Sequence, residues 1–478
     1  MISNATELLF KIGMADDVAL FGHLFSPDAL KEVFDTKFAS TSSKGTDRLN
    51  GYQFSKTAAS DLAVVSGKCL AGTFRFTPYL EALKTKGRSK APRLISIPTV
   101  RDRIVFHQLN KFLGLVFPDS VPRNIAGTYV REISADLRTK VPAETWVAGT
   151  DIKTFYDSIK QKKLVLLIET KVKCWQAARL IARALLTPTV PKNARRKTHH
   201  TFRPEVGVPQ GLAISNILAA IYLADVDQVM RKQGVTYYRY VDDVLLYGEH
   251  GAVQTALKSL RARLAHRGLS LHPASSGKNH FAELAQSFGY LGYVFRWPTI
   301  TVRETTIERF LQSIAVKFSD YVHNKARRLE RTKYLTPDRL AEIFLMELNE
   351  RITGAISEKK RYGWIAYFNQ ITELALLHRL DRVIKGMFVR LPDFAHAAPP
   401  DLKKLSRAFF EMKFNPSGGY VRNYDLIVTR SEKLEFLVQR GRVGPGDALT
   451  DEQINERFDK YRLRVLSEMH ADEGVLYG

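Results

Sequence analysis

Three carboxylates carry the chemistry open to this sequence. Asp242 and Asp243 are adjacent within VTYYRYVDDVLLYG (235–248), and Asp151 closes the apolar run WVAGTD (146–151). The Val, Tyr and Leu residues flanking the pair favour extended backbone, so it reads as the meeting point of two short strands. A tight hairpin normally turns on Asn-Gly or Asp-Gly, whose backbone tolerates positive φ. Asp-Asp is a poor local choice there. Two carboxylates between apolar strands also repel, so one takes up a proton unless a cation neutralises them. A local rule broken without local compensation points to function, and a divalent metal is the simplest compensation. A solvated turn bearing two acids is the bland alternative, and the apolar flanks weigh against it. If the strand ending on Asp151 lies beside this hairpin, hard oxygen ligands converge at one sheet edge. Such a set suits Mg²⁺ or Mn²⁺ and not zinc. Two such ions about 4 Å apart can activate a hydroxyl nucleophile and stabilise a departing pyrophosphate.

Chemistry on phosphates calls for cations nearby. Arg93, set between apolar residues, and the run Lys84, Lys86, Arg88 and Lys90 could hold a triphosphate, although the run also reads as a solvated turn. The segment FRFTPYLEALKTKGRSKAPRLISIP (74–98) holds two β-like pieces around that basic loop, and 100–117 reads as an amphipathic helix. Asp157 is expected to cap the helix of SIKQKKLVLLIE. GVPQG (207–211) is a tight loop opening a helix with Ile214, Ile217, Leu218 and Ile221 on one face. Residues 191–204 form a basic loop, either a solvated linker or a phosphate contact. His199 and His200 within it lack ligand spacing and read as non-metal. A helix near 251–267 and a strand pair at 287–297 follow the hairpin. Residues 1–45 read as helical, with a start at Ser26-Pro27-Asp28. Residues 305–390 read as mostly helical, rich in Arg and Lys. Pro392, Pro399 and Pro400 read as a linker, and no fold is assigned beyond them.

Composition sets the partners. The chain has 478 residues, enough for three or four domains, and 45% hydrophobic content supports a core. Its 72 Lys and Arg against 49 Asp and Glu leave a net charge of +23, which suits a polyanion, nucleic acid first. No 18-residue apolar run or signal peptide is evident, so no membrane partner is expected. Two cysteines suit a reducing cytoplasm and exclude a cysteine-rich finger.

The ordered motifs resemble those of reverse transcriptases. RLISIPTVRDRIV (93–105) looks like the fingers segment, GTDIKTFYDSI (149–159) like motif A, GVPQGLAISNILAAIYL (207–223) like motif B and YVDD (240–243) like motif C. SSGKNHF (275–281) looks like the lysine-bearing motif, and FGYLGYVF (288–295) like the primer grip. The likeness spans roughly residues 45–390. It implies an α+β right-hand polymerase with fingers, palm and thumb, an antiparallel palm sheet and a mainly helical C-terminal extension. The boundaries expected are an N-terminal helical extension at 1–45, fingers at 46–145, and palm at 146–160 and 205–298. An insertion fills 161–204, a helical thumb spans 299–392, and a C-terminal extension of open role covers 393–478.

The resemblance also implies roles. Asp151 and Asp242 would bind both metals with Asp243 assisting. Ile152 would add a backbone contact beside metal and triphosphate. Tyr156 would stand under the sugar and select against a ribose 2′-hydroxyl, or else be a core aromatic. Arg93, Lys90 and Gln210 would contact the incoming nucleotide. Lys278 would be a general acid toward pyrophosphate, or a plain surface lysine. Leu291 and Gly292 would seat the primer end. Mg²⁺, with Mn²⁺ as substitute, would be the cofactor. RNA template, DNA product and dNTPs would be the partners, with self-association left open.

Group II intron proteins are similar in the palm but usually add a DNA-binding region and often a Cys/His-rich endonuclease, which two cysteines cannot build. No RNase H or integrase pattern of acids is evident. The chain therefore looks most like bacterial defence-associated (unknown-group) and abortive-infection reverse transcriptases, which often act with a structured non-coding RNA. Template-independent or protein-primed synthesis is one alternative, and a catalytically idle nucleic-acid-binding scaffold is another.

Overall fold

The computed structural model describes residues 7, 10, 11, 13, 16–84, 92–121, 125–273 and 277–472. These fall into two compact units. The first comprises residues 1–123 and 144–282, the second 124–143 and 283–476.

The first unit is organised on a four-stranded sheet. β3 (Trp146–Asp151) and β6 (Asp243–Gly248) lie in its centre, flanked by β7 (His280–Glu283) beside β3 and β5 (Thr236–Tyr240) beside β6. β6 runs antiparallel to both β3 and β5. The central position explains the composition: Val147 and Ala148 of β3 and Val244 through Tyr247 of β6 are all buried, so these strands read as apolar runs and not as alternating ones. The His250–His266 helix packs on β3 and β6, and the Ser215–Met230 helix packs on it in turn.

A second sheet in this unit consists of β1 (Tyr79–Lys84), β2 (Arg93–Ile97) and the two-residue β4 (Thr189–Val190), in the order β2-β1-β4. The Val100–Val116 helix follows β2. It is capped by Thr99, whose hydroxyl accepts from the Asp102 N–H. Its buried residues include Ile104, Val105, Leu109 and Phe112, which join one core with Leu20, Phe21, Leu62 and Leu218. Both cysteines, Cys69 and Cys174, are free thiols fully buried in this core, and burial pushes the Cys69 thiol up to about 12.

Two local expectations are corrected here. Asp157 caps no helix. It lies inside the short Phe155–Ser158 helix, and the following Gln161–Glu169 helix starts at Lys160 without a side-chain cap. Residues 191–204 are not plain loop, because Arg196–Phe202 winds into 3₁₀ turns.

The second unit begins with the Ala126–Leu137 helix and a three-stranded meander, β8 (Phe288–Tyr290), β9 (Tyr293–Arg296) and β10 (Thr299–Val302). Helices Glu304–Arg331, Pro337–Thr353 and Leu374–Gly386 follow. The helical reading of 305–390 misses a hairpin, β11 (Ala355–Ser357) and β12 (Lys360–Tyr362), which later pairs in parallel with β13 (Arg422–Asn423). Strands of two and three residues are too short to show a period of two. The prolines at 392, 399 and 400 do not part the chain into separate bodies. Asn349 donates to the Asp401 carbonyl, and Asp381 accepts from the Leu405 N–H and the Ser406 hydroxyl. Helices Leu405–Phe414, Arg430–Gln439 and Asp451–Asp472 complete the unit. Tyr424, Phe436, Phe458 and Tyr461 form part of its core around Glu350, which pairs with the buried Arg440 at 3.0 Å.

Candidate active site

Strand register brings the acids together. Asp151 pairs directly with Asp243 across β3 and β6, and Asp243 pairs with Tyr240 across the β5–β6 hairpin. The turn itself is Val241-Asp242, so the pair of acids straddles the turn and the start of β6. The Ile152 N–H donates to the Asp242 carbonyl at 3.0 Å and fixes the tip to the end of β3. One oxygen of Asp151 (Oδ1) and one of Asp242 (Oδ1) are buried without a hydrogen-bond partner. Burial, then the charge of Asp151, then that of Asp243, push the Asp242 carboxyl up to about 8. The repulsion expected from sequence is therefore present in the fold.

Val241 is the residue at positive φ, 57°. A β-branched residue in that region is strained, and the structure supplies what holds it. Arg239 donates from Nη1 to the Val241 carbonyl at 2.8 Å. The same guanidinium forks onto Asp227 of the Ser215–Met230 helix, with Nε to Oδ1 at 2.7 Å and Nη2 to Oδ2. The Tyr237 hydroxyl also donates to Asp227 Oδ1 at 2.7 Å. Asp227 is buried and Arg239 nearly so. A planar bidentate pair of this kind fixes both position and direction. Sequence reading missed both residues, and an acid on an otherwise apolar helix face was the only available signal.

Tyr156 is buried beside this centre. Its hydroxyl donates to Asn216 Oδ1. Burial raises its phenol well above the ordinary value, with the Asp242 charge adding to the effect, so the ring stays neutral and remains a donor. Asn216, in the first turn of the Ser215–Met230 helix, was not singled out from sequence. It lines a cavity of about 500 Å³ bounded by Ile95, Ser96, Pro98 and Gly211. Gln210 donates its side-chain amide to Asp157 Oδ1 at 3.2 Å, while its carbonyl accepts from the Ser96 N–H at 2.7 Å. That contact seats the GVPQG loop against β2. Gly211 has φ +101°, and a Cβ there would lie 2.7 Å from Ile95 Cγ2 and 2.9 Å from the Ser96 carbonyl oxygen, so no side chain fits.

Arg93 and Lys84 face each other as cross-strand partners at the end of the β1–β2 pair where the chain passes from one strand to the other. Like charges directly opposed are unfavourable unless an anion joins them. Lys90, Lys86 and Arg88 lie outside the described residues. Lys278 is half-exposed, and its ammonium pairs with Asp151 Oδ2. His272 Nε2 lies 3.2 Å from that ammonium and 3.7 Å from Asp151 Oδ2. Leu291 and Gly292 sit in the second unit as the two-residue turn between β8 and β9, both at positive φ, 51° and 83°. The Leu291 carbonyl accepts from the Tyr367 hydroxyl at 3.2 Å.

A divalent cation fits this chemistry. Among the described residues no three acidic, histidine or cysteine side chains form a preformed cage. The orphaned oxygens of Asp151 and Asp242, and an Asp242 carboxyl destabilised by two neighbouring charges, are nevertheless what a hard cation relieves. Asp151, Asp242 and Asp243 are the residues that would hold it.

Residues 83–295 match the family model for reverse transcriptase (RNA-dependent DNA polymerase). Asp151, Asp242, Asp243, Tyr156, Gln210 and Lys278 all fall within that stretch. An uncharacterised 91 kDa protein in the cob intron of Schizosaccharomyces pombe is 32% identical over 160 residues, covering 32% of this chain and 19% of that protein. The group II intron-encoded protein LtrA of Lactococcus lactis subsp. cremoris is 24% identical over 218 residues, covering 44% of this chain and 34% of that protein. The matches thus span about a fifth to a third of these relatives' lengths. Among solved structures, telomerase from Candida albicans in complex with a fragment of telomeric RNA aligns at a TM-score of 0.39 and 11% identity, over 72% of this chain and 68% of that one. Apo telomerase from Candida tropicalis, truncated from its C-terminal domain, aligns at 0.37 and 14%, over 48% and 56%. Among the described residues no helix is long and apolar enough to cross a membrane.

Proposed function

We propose that this protein is an RNA-directed DNA polymerase whose catalytic centre is Asp151, Asp242 and Asp243. The observation that carries the reading is a pair of part-buried carboxylates, Asp151 at the end of β3 and Asp242 at the adjoining hairpin tip, each with one buried oxygen lacking a hydrogen-bond partner, inside the stretch that matches the reverse transcriptase family model. An idle scaffold has no use for like charges held together in a part-buried site, where burial and the charges of Asp151 and Asp243 push the Asp242 carboxyl up.

Mg²⁺ or Mn²⁺ at these carboxylates would supply charge stabilisation to the attacking 3′-hydroxyl and the departing pyrophosphate. Asp151 and Asp242 hold that charge, with Asp243 alongside and Ile152 fixing the hairpin tip to β3. Tyr156 closes the space under the sugar, and Asn216 holds its hydroxyl. Gln210 presents the edge of the incoming nucleotide's site, and Arg93 receives its phosphates together with Lys84 and Lys90. Lys278 carries a proton at Nζ that can pass to the leaving group. Leu291 and Gly292 form a stiff turn suited to seating a primer end. The fingers, palm, thumb and C-terminal extension are assigned at the boundaries given above.

We extend the proposal to RNA templates, dNTP substrates and a role in bacterial antiphage defence with a structured non-coding RNA, supported by the ordered motif set and the +23 charge. The test is nucleotide incorporation by purified protein with Mg²⁺ or Mn²⁺, on primed RNA, primed DNA or no added nucleic acid, with dNTPs against NTPs. DNA made on primed RNA and lost in Asp242→Asn is the expected result. Incorporation untouched by that substitution would overturn the catalytic assignment.

A further inference from the structure

The helix Leu405–Phe414 buries Leu405, Ala408, Phe409 and Met412 and turns its other face to solvent. On that face Phe410 is 45% exposed and Phe414 71% exposed, one helical turn apart, with rings 6.4 Å apart and within 21° of parallel. Adjacent aromatic faces left in water mark an interaction surface.

The surrounding charge says of what kind. Residues 403–422 carry Lys403, Lys404, Arg407, Lys413 and Arg422 against a single acid, Glu411. Glu411 is already held by Arg407 Nε at 3.1 Å and Asn415 Nδ2 at 3.0 Å. Lys413 Nζ lies 5.5 Å from the Phe414 ring centre, and Arg407 and Lys403 lie 4.4 Å and 4.9 Å from that of Tyr420. The cations crowd one another: burial first, then Arg422, hold Lys403 below the ordinary lysine value. A surplus of positive charge around open aromatic faces fits a strand that offers phosphates and unstacked bases together. A duplex hides its base faces, and an apolar protein partner has no need of the cations.

We propose that the Leu405–Phe414 helix and the Tyr420 turn form a platform for single-stranded nucleic acid. Bases stack on Phe410 and Phe414, and phosphates lie along Lys404, Arg407 and Lys413. The proposal does not depend on the assignment of the catalytic carboxylates.

The test uses the full chain and a fluorescent oligouridine of roughly 12 nucleotides, read by anisotropy with excess unlabelled primed duplex present. The Phe410→Ala/Phe414→Ala variant is expected to lose about tenfold or more in single-strand affinity, with duplex binding and melting temperature unchanged. Lys413→Glu is expected to weaken binding and flatten its salt dependence. In the unmodified protein, 4-thiouridine should photocrosslink to peptides bearing residue 410 or 414. Full single-strand affinity in the double variant, or no crosslink to either ring, overturns the proposal. So does loss of self-association in that variant with affinity intact, which would assign the face to a second protein copy.

Discussion

Asp242 sits in an environment far from that of an ordinary aspartate, and its titration gives a signed expectation. The unfolded aspartate titrates at about 3.9, while burial and the neighbouring carboxylates push the folded one up to about 8. The folded chain therefore keeps a proton that the unfolded chain releases. Stability of metal-free protein should fall as pH rises from about 4 to about 8 and then level off. Asp242→Asn should remove that slope, and melting in EDTA across the range checks it. A divalent ion that binds the carboxylates should raise the melting temperature more at pH 8 than at pH 6, and not in the asparagine variant. The neighbouring pair gives a second expectation. Tyr156 is held by Asn216, so Asn216→Ala should let the ring swing and admit ribonucleotides, narrowing dNTP-over-NTP selectivity by roughly tenfold in competition assays. Tyr156→Ala should narrow it further. The acids were legible in the sequence because Asp-Asp breaks a turn rule in plain view. Asn216 was not, because its importance lies in a contact 60 residues distant in the chain, which no local pattern announces.

Among the elements, the β5–β6 hairpin depends on the Ser215–Met230 helix that precedes it in the sequence. Asp227 holds Arg239, and Arg239 holds the carbonyl of the one strained turn residue. Removing one partner of such a buried pair costs about 3–5 kcal/mol, so Asp227→Ala should be strongly destabilising by denaturant titration. Arg239→Lys keeps the charge but loses the fork. It should lower kcat with KM for dNTP little changed, because the hairpin tip and not the nucleotide site is loosened. The Val100–Val116 helix was readable because it is long enough to show its period, and the β5–β6 hairpin because aromatic, branched and leucine residues fill both its strands. The β11–β12–β13 sheet was not, since three-residue strands carry no period and its third member lies some 60 residues on.

At the scale of the molecule, the +23 charge argues for binding through phosphates, and affinity for primed duplex should fall by about 10³ or more between 50 and 200 mM salt if six or more phosphates are neutralised. A filter-binding series would read this directly, and a flat response would remove the polyanion reading. Composition argues for a polyanionic partner but not for where it would bind. The Leu405–Phe414 face emerges only when the fold exposes two of its phenylalanines and buries the third. The buried thiols have a use of their own. Cys69 and Cys174 have no access to solvent, so maleimide dyes should ignore the native chain. A single cysteine introduced on any exposed surface will then carry a fluorophore alone, and the native protein can serve unaltered as the background for single-molecule work.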